Sequence, residues 1–134
     1  MSAESNIETI KAVYAAFGKG DMSGILEVLS DDIDWATEAA STAAPWYGVR
    51  HGKQQVAAFF SEFSRTMRTD EFTLLAYTAS GDDVMTVVRH RSHSIVTGRS
   101  VDMNQHHWFT FNNGKITHHR ASEDTAQVEA ALRS

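Results

Sequence analysis

Three turn signals, Ser80-Gly81-Asp82, Thr97-Gly98-Arg99 and Asn112-Asn113-Gly114, punctuate the second half of the chain. They recur at intervals of about 16 residues, and the stretches between them are dense in Thr, Val, Phe, Ile and Tyr. Such spacing predicts long, curved, antiparallel strands joined as a meander.

The first half has helical periodicity. Ser5-Asn6-Ile7-Glu8 reads as a capping box. Ile7, Ile10, Val13, Tyr14 and Phe17 then follow the spacing of one helix face, ended by Gly18 and Gly20. Asp21 can cap a second, shorter helix with Ile25, Leu26, Val28 and Leu29 on its apolar face. Asp31 to Thr37 alternates as a first strand, and residues 38–52 read as a loop containing Pro45-Trp46-Tyr47-Gly48. After Gly52, Val56, Phe59, Phe60, Phe63 and Met67 form one helical stripe, and a short helix over 125–132 closes the chain. The expected order is helix, helix, strand, helix, then four strands, an α+β domain spanning residues 1–134.

Composition narrows the partners. A net charge of −5 argues against nucleic acid, which demands a basic face. The absence of cysteine removes disulfides, thiolate metal sites and cysteine nucleophiles. No run approaches the roughly 18 apolar residues of a membrane span, and the N-terminus lacks signal-peptide character, so a cytoplasmic location is expected.

The layout, together with "YAAFGKGD", "LSDDIDW", "GVRHGKQQVAAFF", "TGRSV" and "FNNGKI", resembles the SnoaL-like branch of the nuclear transport factor 2-like superfamily, which includes ketosteroid isomerase. The resemblance covers nearly the whole chain. It implies a cone-shaped barrel of cystatin-like type, in which a strongly bent antiparallel sheet wraps N-terminal helices around an apolar pocket. It also implies a homodimer through the convex sheet face. The scaffold hosts isomerases, cyclases and dehydratases as well as non-catalytic binders, so fold alone does not name the activity.

Two histidine pairs flank the last turn: His106-His107 and His118-His119. Adjacent strand residues face opposite ways, so each pair contributes one ring to each face, and a compact four-histidine metal site is excluded. A two-residue Asn113-Gly114 loop would pair His107 with Arg120, whereas a three-residue loop with Gly114 in a bulge pairs His107 with His119. The second is preferred, because it gathers His107, Phe109, Phe111, His119 and Ala121 on one mostly apolar face, extended by Glu123. His90 and His93, three apart, also face opposite ways. Arg89, His90 and Arg91 read as polar rim or dimer-face residues. No metal and no cofactor is expected.

By the isomerase resemblance, His107 falls where that family has a protonated aspartic acid donating to the substrate oxyanion, and Tyr14 falls at its oxyanion tyrosine. His119, Ala121 and Glu123 match pocket positions. The family's general-base aspartate aligns with Thr37, and the nearest carboxylate is Glu38. Many SnoaL-like chains end the last strand with an aspartate, here Asp124, but Asp124 to Gln127 also fits a helix N-cap. Trp35, Phe59, Phe109 and Phe111 would hold a ligand, with Trp46 and Tyr47 as a lid. The expected function is cofactor-independent acid–base chemistry on a small apolar carbonyl compound, with Tyr14 and His107 stabilising an enolate oxygen and Glu38, Glu123 or His119 moving the proton. The competing expectation is a non-catalytic binding or dimerisation module.

Overall fold

The computed structural model describes residues 2–133. Helix α1 (Ala3–Lys19) starts one turn earlier than its expected box: Ser2 caps it and Ser5 completes the reciprocal bond. Gly20, at φ 70°, ends it in the left-handed conformation that glycine adopts without a Cβ clash. Asp21 caps α2 (Met22–Leu26) as expected, accepting from the Gly24 N–H at 3.0 Å. The remaining elements are β1 (Leu29–Thr37), β2 (Gly48–His51), α3 (Lys53–Thr66), β3 (Met67–Ser80), β4 (Asp83–Ser94), β5 (Ser100–Asn112), β6 (Lys115–Ser122) and α4 (Thr125–Leu132). The loop expected over 38–52 thus contains a short strand, β2, and Met67 belongs to β3 rather than to the α3 stripe.

The six strands form one sheet in the order β2-β1-β6-β5-β4-β3. The meander β3-β4-β5-β6 is antiparallel throughout, as are β1 and β2; β1 joins β6 in parallel, a correction to the all-antiparallel expectation. Strands of 12 to 14 residues would run about 40 Å if straight. Bulges at Asp70 and Leu75 in the edge strand β3 break that straightness and bend the sheet into a cone. Strand β5 shows the consequence for burial: Val101, Met103, Gln105, His107 and Phe109 are buried and alternate with the exposed Asp102, Asn104, His106 and Trp108.

The concave face packs against α1 and α3. Ile10, Val13, Ile25, Ile33, Trp35, Val56, Val84, Phe109 and Ile116 form the main core. A second cluster, with Trp46, Met67, Met103, Val128 and Ala131, seals the end where α4 docks. Among the described residues no helix is long and apolar enough to cross a membrane.

The decisive local feature is the β5–β6 hairpin. Asn113 (φ 51°) and Gly114 (φ 78°) both occupy the left-handed region, and Asn112 pairs with Lys115, which makes a two-residue turn. The expected three-residue loop is therefore wrong. Its conclusion about faces nevertheless stands, because β6 carries a bulge. Phe111 pairs with Ile116 but Thr110 with His118, leaving Thr117 as the extra residue. Beyond it His107 lies opposite Ala121 and Phe109 opposite His119. The displacement from the expected His107–His119 pairing is two residues, an even number, so every side chain keeps its face. The bulge also explains why Ile116 and His119, three apart, are both buried.

Candidate functional site

Inside the cone lies a cavity of about 80 Å³. That is well above the roughly 10–15 Å³ a single water needs. Its walls are Phe17, Phe59, Phe60, Phe63 and Phe72 on the helical and β3 side and Trp35, Trp46 and Phe109 on the other. Its polar groups are Tyr14, Thr37, His90, Gln105, His107, His119 and Glu123.

Four of these groups, Tyr14, His107, Gln105 and Glu123, belong to one hydrogen-bonded chain whose polarity can be deduced. The Tyr47 hydroxyl donates to Glu123 Oε2 at 2.8 Å, and the Gln105 amide donates to Glu123 Oε1 at 3.0 Å. With its NH₂ turned to the carboxylate, Gln105 presents its oxygen to His107 Nε2 at 3.1 Å, so that ring nitrogen carries the proton. His107 Nδ1 is then a lone pair, and the Tyr14 hydroxyl donates to it at 2.7 Å. Having spent its proton, Tyr14 accepts from the Thr86 hydroxyl, also at 2.7 Å. From Thr86 to Gln105 every donor points toward Glu123.

Electrostatics agree with a neutral His107. Burial, helped by His90 and His106, holds its pKa down to about 3. Burial, with His107, holds His119 well below the usual histidine range. His90 is pushed down to about 4, again by burial. Burial raises Glu123, against the stabilising donors from Tyr47, Trp46 and Gln105. Burial likewise raises the Tyr14 phenol, and burial plus the Glu123 charge raises that of Tyr47.

Outside this chain stand three buried polar atoms with no hydrogen-bond partner among the described residues and on cavity-lining side chains: Trp35 Nε1, His119 Nδ1 and His90 Nδ1. His119 is clasped between Trp35, ring to ring at 4.0 Å, and Phe109 at 4.4 Å; His107 is 5.4 Å away. His119 Nδ1, with no partner, is free to hold either a lone pair or a proton.

The structure thus brings together Tyr14, His107, His119, Glu123, Trp35, Trp46, Phe59 and Phe109 of the expected set. Tyr47 reaches the site through its hydroxyl. Phe111 is buried in the main core behind the cavity. Glu38 is exposed on the outer face near Trp108, Arg120 and Ser122, where it cannot reach the cavity; one residue past the buried Thr37, it points the other way. Asp124 caps α4, accepting from Gln127 N at 3.2 Å, and lies outside the cavity. His106 and His118 face outward, the latter against Trp108. His90, expected at a polar rim, is 3% exposed and lines the cavity. The signal was present: counting by twos from Val84 along β4 passes through Thr86, Val88, His90 and Ser92, all buried. Its two arginine neighbours masked it.

A bent sheet closing over two helices around an apolar pocket with a few titratable side chains defines the nuclear transport factor 2-like class of α+β proteins. Within that class the chain belongs to the SnoaL-like domain family, whose model matches residues 10–119. Among solved structures it is similar to a nuclear transport factor 2-like protein of unknown function from Burkholderia pseudomallei (24% identity, all of both chains, TM-score 0.90). It is also similar to an isomerase candidate from Rhodopseudomonas palustris (24% identity, 98% of each chain, TM-score 0.81). A third is TerC, co-crystallised with polyporic acid (23% identity, 97% of this chain and 99% of that one, TM-score 0.85). At these identities the likeness shows the fold. No protein of curated function matches the sequence.

Proposed function

We propose that this protein performs acid–base chemistry, of the isomerase, cyclase or dehydratase type, on a small, largely apolar carbonyl compound. The observation that carries the reading is a pair of buried, partnerless atoms, Trp35 Nε1–H and His119 Nδ1, on two cavity-lining side chains whose rings are 4.0 Å apart. Buried polar atoms without protein partners call for an explanation, and a ligand with an acceptor beside a transferable proton supplies one. In this scheme the carbonyl oxygen accepts from the Trp35 indole. His119 Nδ1 takes a proton from the α-carbon; the C–H pair becomes the C=C bond, and the carbonyl π pair moves to oxygen. Return of the proton to another carbon gives the isomer. Burial makes His119 a weak base at rest and a willing acid once protonated, so the indole donor must carry much of the enolate stabilisation. Tyr14 and His107, expected as the oxyanion donors, spend their protons on His107 and Gln105, and support the site by fixing its walls and charge.

The test is α-deuteration of cyclohexanone in D₂O, followed by proton NMR. The expected outcome is exchange faster than buffer alone, lowered about 10²-fold or more in His119→Ala. A folded His119→Ala protein that exchanges as fast as the parent removes the proposal. The internal commitment of the Tyr14 and His107 protons favours a second reading, a binding module without turnover, for which the parent protein binds the ketone but does not exchange it. The exposed Trp108 and Met85, paired across β4 and β5 on the convex face, offer a seat for a second copy of the chain.

A further inference from the structure

His90 lies at the other end of the cavity from Trp35 and His119. His119 pairs across Phe109 to Val84, and His90 lies six residues beyond Val84 along β4, two strands away from β6. Its ring meets Phe63 and Phe72 edge-on at 5.8 and 5.7 Å, so an apolar wall surrounds it. Nε2 is bonded to the Ser92 hydroxyl at 3.0 Å, and Nδ1 has no partner. The Ser92 hydroxyl rotates, and can donate to Nε2 or accept from it. The imidazole of this cavity-lining residue can therefore hold either a lone pair or an N–H at its partnerless Nδ1. His107, with both nitrogens engaged, has no such freedom. Nothing in the acid–base scheme uses His90.

From this geometry we infer that His90, backed by Ser92, is a specificity subsite that selects a ligand carrying a second oxygen function, a hydroxyl or a further carbonyl, at the end opposite its reacting carbonyl. The inference rests on the proposed reading of the cavity as a carbonyl site and adds the shape of its substrate: a single apolar ring with oxygen at both ends. The sign of the effect is diagnostic. A hydroxyl entering an apolar cavity without a partner weakens binding, because it leaves its water behind. A hydroxyl that meets His90 Nδ1 strengthens it.

The experiment compares cyclohexanone with 4-hydroxycyclohexanone by NMR titration of the parent protein and of His90→Phe, with histidine ¹⁵N labelling. Expected is a threefold to tenfold tighter Kd for the hydroxylated ketone in the parent, the gain of about one neutral hydrogen bond. The His90 Nδ1 resonance moves only with that ligand, and in His90→Phe the preference disappears or reverses while cyclohexanone still binds. If His90→Phe does not fold, the parent's affinity ratio and its ¹⁵N shift decide. Equal or weaker binding of the hydroxylated ketone, with an unmoved His90 resonance, overturns the subsite and leaves the carbonyl site standing. Failure of both ketones to bind overturns the carbonyl site and the subsite with it.

Discussion

Gln105→Leu isolates the middle of the hydrogen-bonded chain. Leucine nearly matches glutamine in volume, and position 105 is 9% exposed, so the substitution removes two hydrogen bonds and little else. The His107 Nε2–H is left buried and unpaired, at about 1–3 kcal/mol. Glu123 loses a donor to its carboxylate, worth about 1.5–3 kcal/mol while ionised. Added apolar burial returns about 1 kcal/mol. The net destabilisation at pH 7.5 is about 1.5–5 kcal/mol. It also depends on pH in a definite direction. The folded-state pKa of Glu123 is raised, so its contribution is fully favourable below the unfolded value near 4.5 and is lost as pH rises through the folded value. Removing the Gln105 donor raises that pKa further, so the penalty grows with pH and is smaller at pH 5 than at pH 7.5. Urea titrations followed by far-UV circular dichroism at both pH values measure it. A penalty under about 0.5 kcal/mol at pH 7.5, or one equal at the two pH values, refutes the deduced polarity of the chain.

Three further outcomes are expected. The buried neutral His90 and His107 have depressed pKa values of about 4 and about 3, so the stability they confer is present above pH 6.5 and lost as pH falls toward 3. For His90 this amounts to about 3 kcal/mol, and acid titration of the parent should lose more stability between pH 6.5 and 4 than a His90→Phe variant. Asp124→Ala removes the α4 cap and lowers Tm by about 2–5 °C, with ketone exchange unchanged if the residue only caps. Trp108→Lys on the convex face should shift a dimer toward monomer in light scattering without loss of helical signal; an unchanged mass excludes that face as the contact.

Much of the architecture was legible because its signals are local. Gly81, Gly98 and Gly114 all adopt the positive φ that their turns require, so the meander could be placed from turn chemistry. The division of the four clustered histidines into inner and outer pairs followed from strand alternation alone, and it survives a wrong register because the error is even. What could not be read is what other segments impose. β2 has four residues and takes its pairing from β1, so its own pattern carries no signal. The Thr117 bulge sits at an ordinary residue, selected by the twist of the sheet rather than by local preference. Tyr14 meets His107 across 93 positions of sequence, a contact that only packing of α1 into the cone creates. Glu38 failed as a candidate through a single step of parity, and His90 was hidden by charged neighbours on its other face.

The bulge at Thr117 bears on how roles pass between related chains. A relative whose last hairpin lacks that extra residue can place the same side chains inward only if its sequence is one residue shorter between the turn and the inner histidine. Aligned without a gap at Thr117, it would appear to carry outward-facing residues where His119, Ala121 and Glu123 stand, and a working site would look ruined. A chain with the insertion but a regular ladder would show the reverse, matching letters on the wrong side of the sheet. The count of residues between Gly114 and the next inner position is thus a better marker of shared chemistry in this family than identity at the histidines themselves.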